Sequence, residues 1–155
     1  MNCKNCGAPM RPAGGGEYFT CDHCTSFHFP ERTADGVRSA GEPSELECPV
    51  CRAGLVVGYI RRHRVQACPK CQGVLVGPGS LSLLVDELRA RHSGPRLPPA
   101  PLAPPEQERR LQCPRCRAAM DLHPYYGPGR VLIDTCGPCA LVWLDRGEIA
   151  TIARS

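Results

Sequence analysis

C-P-R-C-R-A-A-M at residues 113–120 and C-G-P-C-A-L-V-W-L-D-R-G-E at residues 136–148 together decide the fold of this chain. Each motif begins with a C-x-x-C knuckle, and nineteen residues separate the two knuckles, which is enough for a β-hairpin. A knuckle is a tight turn that offers two sulfurs to one ion, so two knuckles complete a tetrahedral tetrathiolate zinc site. The spacing therefore predicts a zinc ribbon in this part of the chain.

The same arrangement occurs twice more, with fourteen and sixteen residues between the paired knuckles. All twelve cysteines of the 155-residue chain fall into three sets of four, and none is left over. We predict three Zn²⁺ ions, one for each set. The predicted ligands are Cys3, Cys6, Cys21 and Cys24 in the first set, Cys48, Cys51, Cys68 and Cys71 in the second, and Cys113, Cys116, Cys136 and Cys139 in the third.

Disulfides are the main alternative use of so many cysteines, because short cysteine-rich chains are often secreted. The chain begins a knuckle at Cys3 with no apolar signal segment before it, and every cysteine belongs to a C-x-x-C pair. Zinc and reduced thiols are therefore favoured, although residue type alone also allows iron in a rubredoxin-like site. With no apolar run near the roughly 18 residues that span a bilayer, we expect a soluble, cytoplasmic protein.

Size and charge limit the function further. A ribbon of about 30 residues is too short to fold by burial alone, so zinc has to supply the missing stability, and the segments should be unfolded without metal. The formal charge of +4 changes to about −2 once twelve thiolates and three Zn²⁺ are counted. Overall charge therefore gives no argument for nucleic-acid binding, and only local basic patches could support it.

We predict a small, metal-stabilised, mostly β protein made of three tandem zinc ribbons. Each ribbon is a β-hairpin plus a short strand, and short helices follow ribbons two and three. The expected divisions are ribbon one at 1–30, a flexible linker at 31–47, ribbon two with its helix at 48–93, a proline-rich linker at 94–110, and ribbon three with a closing helix at 111–155. The first linker is polar, contains glycine and proline, and lacks periodicity.

Helix signals follow the second and third ribbons. Apolar residues recur at helical spacing after ribbon two, with Ser80 as a plausible N-cap, and this stripe should pack on its own ribbon. Its members are Leu81, Leu84, Val85 and Leu88. In ribbon three, Asp145 and Glu148 have the spacing of an N-cap and a capping-box acid. Trp143 is the only tryptophan, and we expect it to pack in the core beside that helix.

The ribbons are related by internal repetition. Aligning Cys71 with Cys139 places the helix stripe of ribbon two over that of ribbon three. Apolar residues also recur at fixed distances from the cysteines, and we expect them to form a small hydrophobic cap beside each zinc. These positions are Met10, Leu55 and Met120 after the second cysteine of each ribbon, and Tyr18, Val65 and Ile133 before the third.

Ribbon three resembles the TFIIB-type zinc ribbon family, a group of small bacterial transcription factor zinc-finger domains. The resemblance depends on the two knuckles, on Met120, on the strand at residues 131–134 and above all on W-L-D-R-G-E at 143–148. Ribbon two is similar to a divergent copy, and ribbon one is similar only to a generic zinc ribbon. The resemblance implies a zinc-binding, transcription-related fold, and it supports the metal sites far more than any activity.

No catalytic constellation is recognisable, because every cysteine is committed to metal and four sulfurs leave zinc no open position. His23, inside a knuckle, is interpreted as a solvated side chain. We therefore favour a non-enzymatic adaptor that binds protein partners, with no membrane or small-molecule substrate indicated. The alternative is a nucleic-acid-binding protein of transcription or RNA metabolism that uses the basic hairpin tip of ribbon two. Its candidate contacts are Arg61, Arg62, Arg64 and Tyr59, with residues 125–130 of ribbon three as a weaker tip.

A third hypothesis is a thiol-based redox or zinc sensor, in which oxidation of exposed thiolates releases zinc. The knuckle of Cys3 and Cys6 would be the expected sensor.

Overall fold

The computed structural model describes residues 1–96, 98, 109–125 and 131–155. These residues form ten strands and two helices. The strands are β1 (Met10–Ala13), β2 (Tyr18–Cys21), β3 (Phe27–His28), β4 (Arg38–Glu47), β5 (Gly54–Ile60), β6 (His63–Ala67), β7 (Val74–Val76), β8 (Asp121–Pro124), β9 (Leu132–Cys136) and β10 (Leu141–Leu144), and the helices are α1 (Pro78–Arg91) and α2 (Glu148–Arg154). The predicted small, mostly β fold with three four-cysteine clusters is confirmed.

Two antiparallel sheets organise the chain. Ribbon one has its own sheet, in the order β1-β2-β3. Ribbons two and three share a single seven-stranded sheet, in the order β4-β5-β6-β7-β10-β9-β8. The two ribbons are therefore not separate units on a string, because backbone hydrogen bonds between β7 and β10 join them directly.

The junction of β7 and β10 has an approximate two-fold symmetry. Leu75 pairs with Trp143, and the flanking pairs are Val76 with Val142 and Val74 with Leu144. The alignment of Cys71 with Cys139 makes Leu75 equivalent to Trp143, so equivalent residues face each other at the centre of the junction. The repeats meet through the same surface on each, as the subunits of an isologous dimer do.

The seven-stranded sheet is covered on both faces. The helices α1 and α2 pack on one face, over a cluster that includes Val65, Val74, Val142 and Ile133. The opposite face carries the second and third cysteine clusters around Trp143. The central strands β7 and β10 are buried along their whole length, which explains why their sequences are continuous apolar runs rather than alternating ones.

The segment at 31–47 was expected to be a flexible linker, and this expectation is wrong for most of it. Residues Arg38–Glu47 form β4, which pairs with β5, and the side chains of Val37 and Ala40 are buried. The strand has a polar sequence because it lies at the edge of the sheet, and Pro43 is tolerated there at a shift in register. The linker at 94–110 falls largely outside the described residues.

The helix boundaries differ from the expected ones by a few residues. Helix α1 begins at Pro78 after Gly77, so Ser80 lies in its first turn rather than at the N-cap. Leu81, Leu84 and Val85 are buried, as the stripe predicts. At α2 the carboxyl group of Glu148 accepts a hydrogen bond of 2.6 Å from the backbone N–H of Asp145, which is half of the predicted capping box.

One part of the predicted hydrophobic caps is wrong. Met10, Leu55 and Met120 are buried with the cysteines of their ribbons, as expected. Val65 and Ile133 instead face the helices, because a residue three positions before a cysteine points to the opposite face of a strand. Tyr18 is only half-buried.

Trp143 is completely buried, as expected, but it packs among the cysteines of ribbons two and three, on the face of the sheet opposite the helices, and not beside α2. Its indole N–H donates a hydrogen bond of 3.0 Å to Asp145, and its ring lies against Gly73, where a side chain would overlap it. In the part of the chain that is described, no helix is long and apolar enough to cross a bilayer.

Candidate metal centres

All six knuckles have nearly the same backbone. In five of them, the N–H of the first cysteine donates to the carbonyl five residues later, and the N–H four residues later donates back to the carbonyl of that cysteine. The sixth knuckle closes through Ala140 N–H and the carbonyl of Gly137. The residue after the second cysteine always has a positive φ, and these residues are Gly7, Thr25, Arg52, Gln72, Arg117 and Ala140.

Five of these six left-handed positions hold side chains other than glycine, at a cost of about 1–2 kcal/mol each. Such strain persists only where the surroundings require the conformation. Here the conformation reverses the chain after the second cysteine, so that in five of the knuckles the next carbonyl accepts from the N–H of the first cysteine and closes the turn.

The paired knuckles bring the sulfurs together in three groups of four. Within each group, every pair of sulfurs is less than 4.8 Å apart. Individual separations are 3.5 Å for Cys3 and Cys24, 3.3 Å for Cys51 and Cys68, and 3.6 Å for Cys116 and Cys136. A tetrahedral ion with bonds of about 2.3 Å places its sulfurs about 3.8 Å apart, whereas a disulfide needs about 2.05 Å. The geometry fits zinc and excludes disulfides.

Hydrogen bonding prepares some of the thiols for metal binding. The hydroxyl of Ser26, 3.1 Å from the sulfur, is the main cause that lowers the pKa of Cys24 to about 5. Backbone N–H groups of Ala53 and Ala118 lower the pKa values of Cys51 and Cys116 to about 7. At Cys139 the effect has the opposite sign, because the neighbouring thiol of Cys116 is the main cause that raises its pKa to about 12.

Four sulfurs held this close cannot all be thiolates unless a cation compensates their charge. Zinc supplies that compensation, and a site saturated by four sulfurs has no position left for a substrate. In each group the first and third cysteines are buried and the other two are more accessible, so one edge of every site is near the surface. The chemistry of the donor set and its geometry therefore both fit three structural Zn²⁺ ions.

The structure separates the four residues predicted to contact nucleic acid. Arg61 and Arg62 form the turn between β5 and β6 and make ion pairs with Glu87 of α1. Tyr59 and Arg64 are cross-strand partners on the other face of the hairpin. Tyr59 is half-buried, and its ring meets the edge of Phe19 at a centroid distance of 6.2 Å. Of the weaker tip at 125–130, only Tyr125 lies among the described residues.

Two structural features near the third site have no signal in the sequence. Asp35, which is buried and lies before β4, accepts hydrogen bonds from Gly147 N–H at 2.6 Å and Ala150 N–H at 2.9 Å. It therefore caps α2 from more than one hundred residues away. The second feature is a buried polar network around Arg109.

Arg109 connects the segment before ribbon three to the strands of that ribbon. Its guanidinium donates to Asp134 at 2.6 Å and also forms an ion pair with Asp145. Asp134 is 1% exposed, and burial raises the pKa of its carboxyl group. Only a folded structure brings these residues together, so spacing alone could not have predicted the network.

Fold and sites together define a protein of three zinc ribbons, with a metal centre of four cysteines in each ribbon. The model of one family, described as transcription factor zinc-finger of the TFIIB zinc-ribbon type, matches residues 47–87 and 112–155. This match covers more than half of the chain, and the chain belongs to that family. Comparison with curated proteins and with solved structures gave no significant match.

Proposed function

We propose that this protein is a non-enzymatic docking module, in which three zinc ions hold a rigid body that presents a binding surface to a protein partner. One observation carries the proposal. Tyr18, Phe27 and Phe29 form an aromatic surface on ribbon one, with Phe27 and Phe29 62% and 67% exposed. The ring of Tyr18 lies 5.6 Å from that of Phe27 and 5.4 Å from that of Phe29.

The surroundings of the aromatic surface suit an extended peptide. Phe27 lies in β3, an edge strand of the sheet of ribbon one. Beside it is a cavity of about 250 Å³, which Met1, Met10 and Phe27 line together with polar residues. An added strand would satisfy the edge of β3 while one of its side chains entered this cavity, which is a common mode of peptide recognition. Exposed aromatic side chains grouped in this way support an interaction site on ribbon one.

The metal centres support a scaffold rather than a catalyst, because each zinc is saturated by sulfur. The family description supports transcription as the setting, and reduced thiols support the cytoplasm as the location. In this proposal zinc supplies stability, and ribbon one supplies the contact with the partner.

Site-specific photocrosslinking tests the proposal. A photoreactive phenylalanine analogue at Phe27 should crosslink a protein partner in the native host, which mass spectrometry can identify. The same analogue at Leu83, a 63% exposed apolar residue on α1, is the matched control and should not crosslink that partner. With the purified partner, Phe29→Ser should weaken binding about tenfold or more. Equal crosslinking at both positions, or unchanged affinity of Phe29→Ser, would contradict the proposal.

Nucleic-acid binding is the second candidate, and exposure of the ribbon-two tip favours it. Arg62 is 74% exposed at its side chain, and Arg64 is exposed on the other face of the hairpin. This candidate predicts that affinity for an oligonucleotide falls steeply with salt and that Arg64→Ala reduces it. Absence of binding at low salt would exclude it.

A further inference from the structure

Three distant parts of the chain meet around one small cavity of about 190 Å³. The turn between β1 and β2 contributes Gly14 and Gly15, and the turn between β5 and β6 contributes Arg61 and Arg62. Helix α1 contributes Arg91, and two acids, Glu17 and Glu87, complete the lining. We call this space the junction cavity. It adjoins the aromatic surface, because the ring of Tyr18 packs against Gly14. The inference below is nevertheless independent of the docking function.

Glu87 is the centre of the cavity's charge network. Its carboxylate is 13% exposed and contacts Arg61 Nε at 3.0 Å, Arg62 Nε at 3.2 Å and Arg91 Nε at 3.4 Å, as well as the ring of His63. Burial opposes ionisation, but hydrogen bonds from His63 and Arg61 hold the pKa of Glu87 below its ordinary value. The cavity therefore contains a carboxylate with more cationic partners than its single charge can balance.

Glu17, like Glu87, is surrounded by arginines. It makes ion pairs with Arg32, with Arg38 at 2.7 Å and with Arg61 at 3.8 Å. Three arginines and both glutamates line the cavity itself, which is an excess of one positive charge. Arg32 and Arg38, which lie outside the lining, raise the excess of the whole network to three when His63 is neutral. Such an excess in one place attracts an anion that the chain itself does not supply.

The outer arginines have donors available for that anion. Arg62 and Arg91 are 74% and 60% exposed and contact Glu87 through Nε. Their terminal nitrogens can bind a second acceptor, since a guanidinium carries five N–H donors in a fork. The ring of Tyr18 covers Gly14, but Gly15, which has a positive φ, leaves its backbone open to the cavity, and the nearest atom to a Cβ added there would be Cβ of Arg62 at 3.9 Å. A ligand can therefore approach the backbone closely here.

We propose that the junction cavity binds the phosphate group of a small phosphorylated molecule, with Arg62 and Arg91 as its principal contacts. A phosphomonoester carries about −1.5 to −2 charges and three acceptor oxygens, which suits this excess charge better than a single carboxylate does. The cavity is smaller than the roughly 300–1,000 Å³ of sites that enclose a drug-sized ligand. It therefore takes the phosphate and leaves the rest of the molecule outside.

Calorimetric titration of the zinc-loaded full chain with inorganic phosphate and with pyrophosphate tests this proposal. Both probes should bind saturably. Arg62→Gln and Arg91→Gln should each weaken binding about tenfold, the loss expected for one charge-assisted hydrogen bond. Arg146→Gln, which removes an exposed arginine of ribbon three, is the matched control and should leave affinity unchanged. All three variants should retain their zinc, because none is near a ligand sulfur in the sequence.

Two results would overturn the proposal. The first is absence of saturable binding of either probe at about 10 mM, or an equal loss of affinity in the Arg146→Gln control. The second comes from a single-stranded oligonucleotide with and without a 5′-phosphate. Tighter binding that ignores the terminal phosphate would assign the junction cavity to a nucleic-acid backbone instead.

Discussion

At the scale of single residues, local and long-range contacts differ in how far the sequence predicts them. The twelve cysteines could be grouped from spacing alone, because a knuckle is a local turn whose two sulfurs face one ion. Asp35 could not be linked to Gly147, nor Gly73 to Trp143, because those contacts exist only after the sheets assemble. Each of these two long-range contacts can be tested by a single substitution.

Removing the long-range cap should destabilise the closing helix. Asp35→Ala leaves the N–H groups of Gly147 and Ala150 without their acceptor, so we expect a loss of about 0.5–2 kcal/mol. This loss in the free energy of unfolding can be measured by chemical unfolding of the zinc-loaded protein, monitored through the fluorescence of Trp143. Asp121→Ala, at an exposed strand position, is the control and should change stability by less than about 0.5 kcal/mol. Equal effects of the two substitutions would refute the capping role.

Position 73 should tolerate no side chain, because Gly73 lies directly against the ring of Trp143. A Cβ at position 73 would lie 2.8 Å from Cη2 of the indole and would overlap its Cζ2, so Gly73→Ala should cost about 1–3 kcal/mol. Gly54→Ala is the control, because nothing lies within 4 Å of the Cβ it would add. Unfolding followed by circular dichroism avoids a direct effect of the substitution on tryptophan fluorescence. A Gly73→Ala protein as stable as the control would contradict the packing described here.

Glu148 gives the molecule a pH dependence of defined sign. Burial is the main cause that raises the pKa of its carboxyl group from 4.5 to about 8. The folded state therefore binds a proton that the unfolded state releases, and this contribution to stability is complete below about pH 4.5 and is lost as pH rises to about 8. Between about pH 6 and 8 the loss should approach 1.4 kcal/mol per pH unit.

Glu148→Gln tests this directly, because glutamine stays neutral and can still accept the hydrogen bond from Asp145 N–H. Denaturant midpoints measured at fixed free zinc should be higher for the variant than for the unaltered protein at about pH 8, and the difference should shrink towards pH 6. Parallel pH profiles of the two proteins would show that Glu148 is ionised throughout this range.

At the scale of elements, the sequence did not predict strand β4 or the pairing of β7 with β10. Strand β4 is polar, carries Pro43 and lies at an edge, so it lacks the alternation that identifies a half-buried strand. The repetition of ribbon two in ribbon three was visible, but it does not say which surfaces of the repeats meet. The two-fold pairing at Leu75 and Trp143 is therefore visible only in the structure.

The shared sheet predicts that ribbons two and three depend on each other. Cys113→Ser should remove the third zinc and unfold ribbon three, which exposes the paired edge of β7. Amide hydrogen exchange in β5–β7 should then accelerate about tenfold or more, although all four cysteines of ribbon two remain. Cys6→Ser in ribbon one, whose strands belong to the other sheet, is the control and should affect these amides much less. Unchanged protection in Cys113→Ser would mean that the ribbons fold independently.

At the scale of the whole molecule, the three metal centres act together with a hydrophobic core that ribbons two and three share. Cysteine spacing predicted the mostly β class and the three sites, and the W-L-D-R-G-E motif indicated the family, because each of these is a local pattern in the sequence. The arrangement of the ribbons depends on surfaces that are brought together by the chain as a whole, including the junction cavity and the contact of ribbon one with Ala40 and Val57. The result is a joined body that differs from the expected string of separate modules.

Metal content is the measurement that tests the central claim most directly. Native mass spectrometry of the purified protein, combined with elemental analysis, should show three zinc ions per chain, and circular dichroism should show loss of the fold when a strong chelator removes them. A protein that carries fewer than three metal ions, or that keeps its fold after complete chelation, would contradict the conclusion that three tetrathiolate zinc sites hold this chain together.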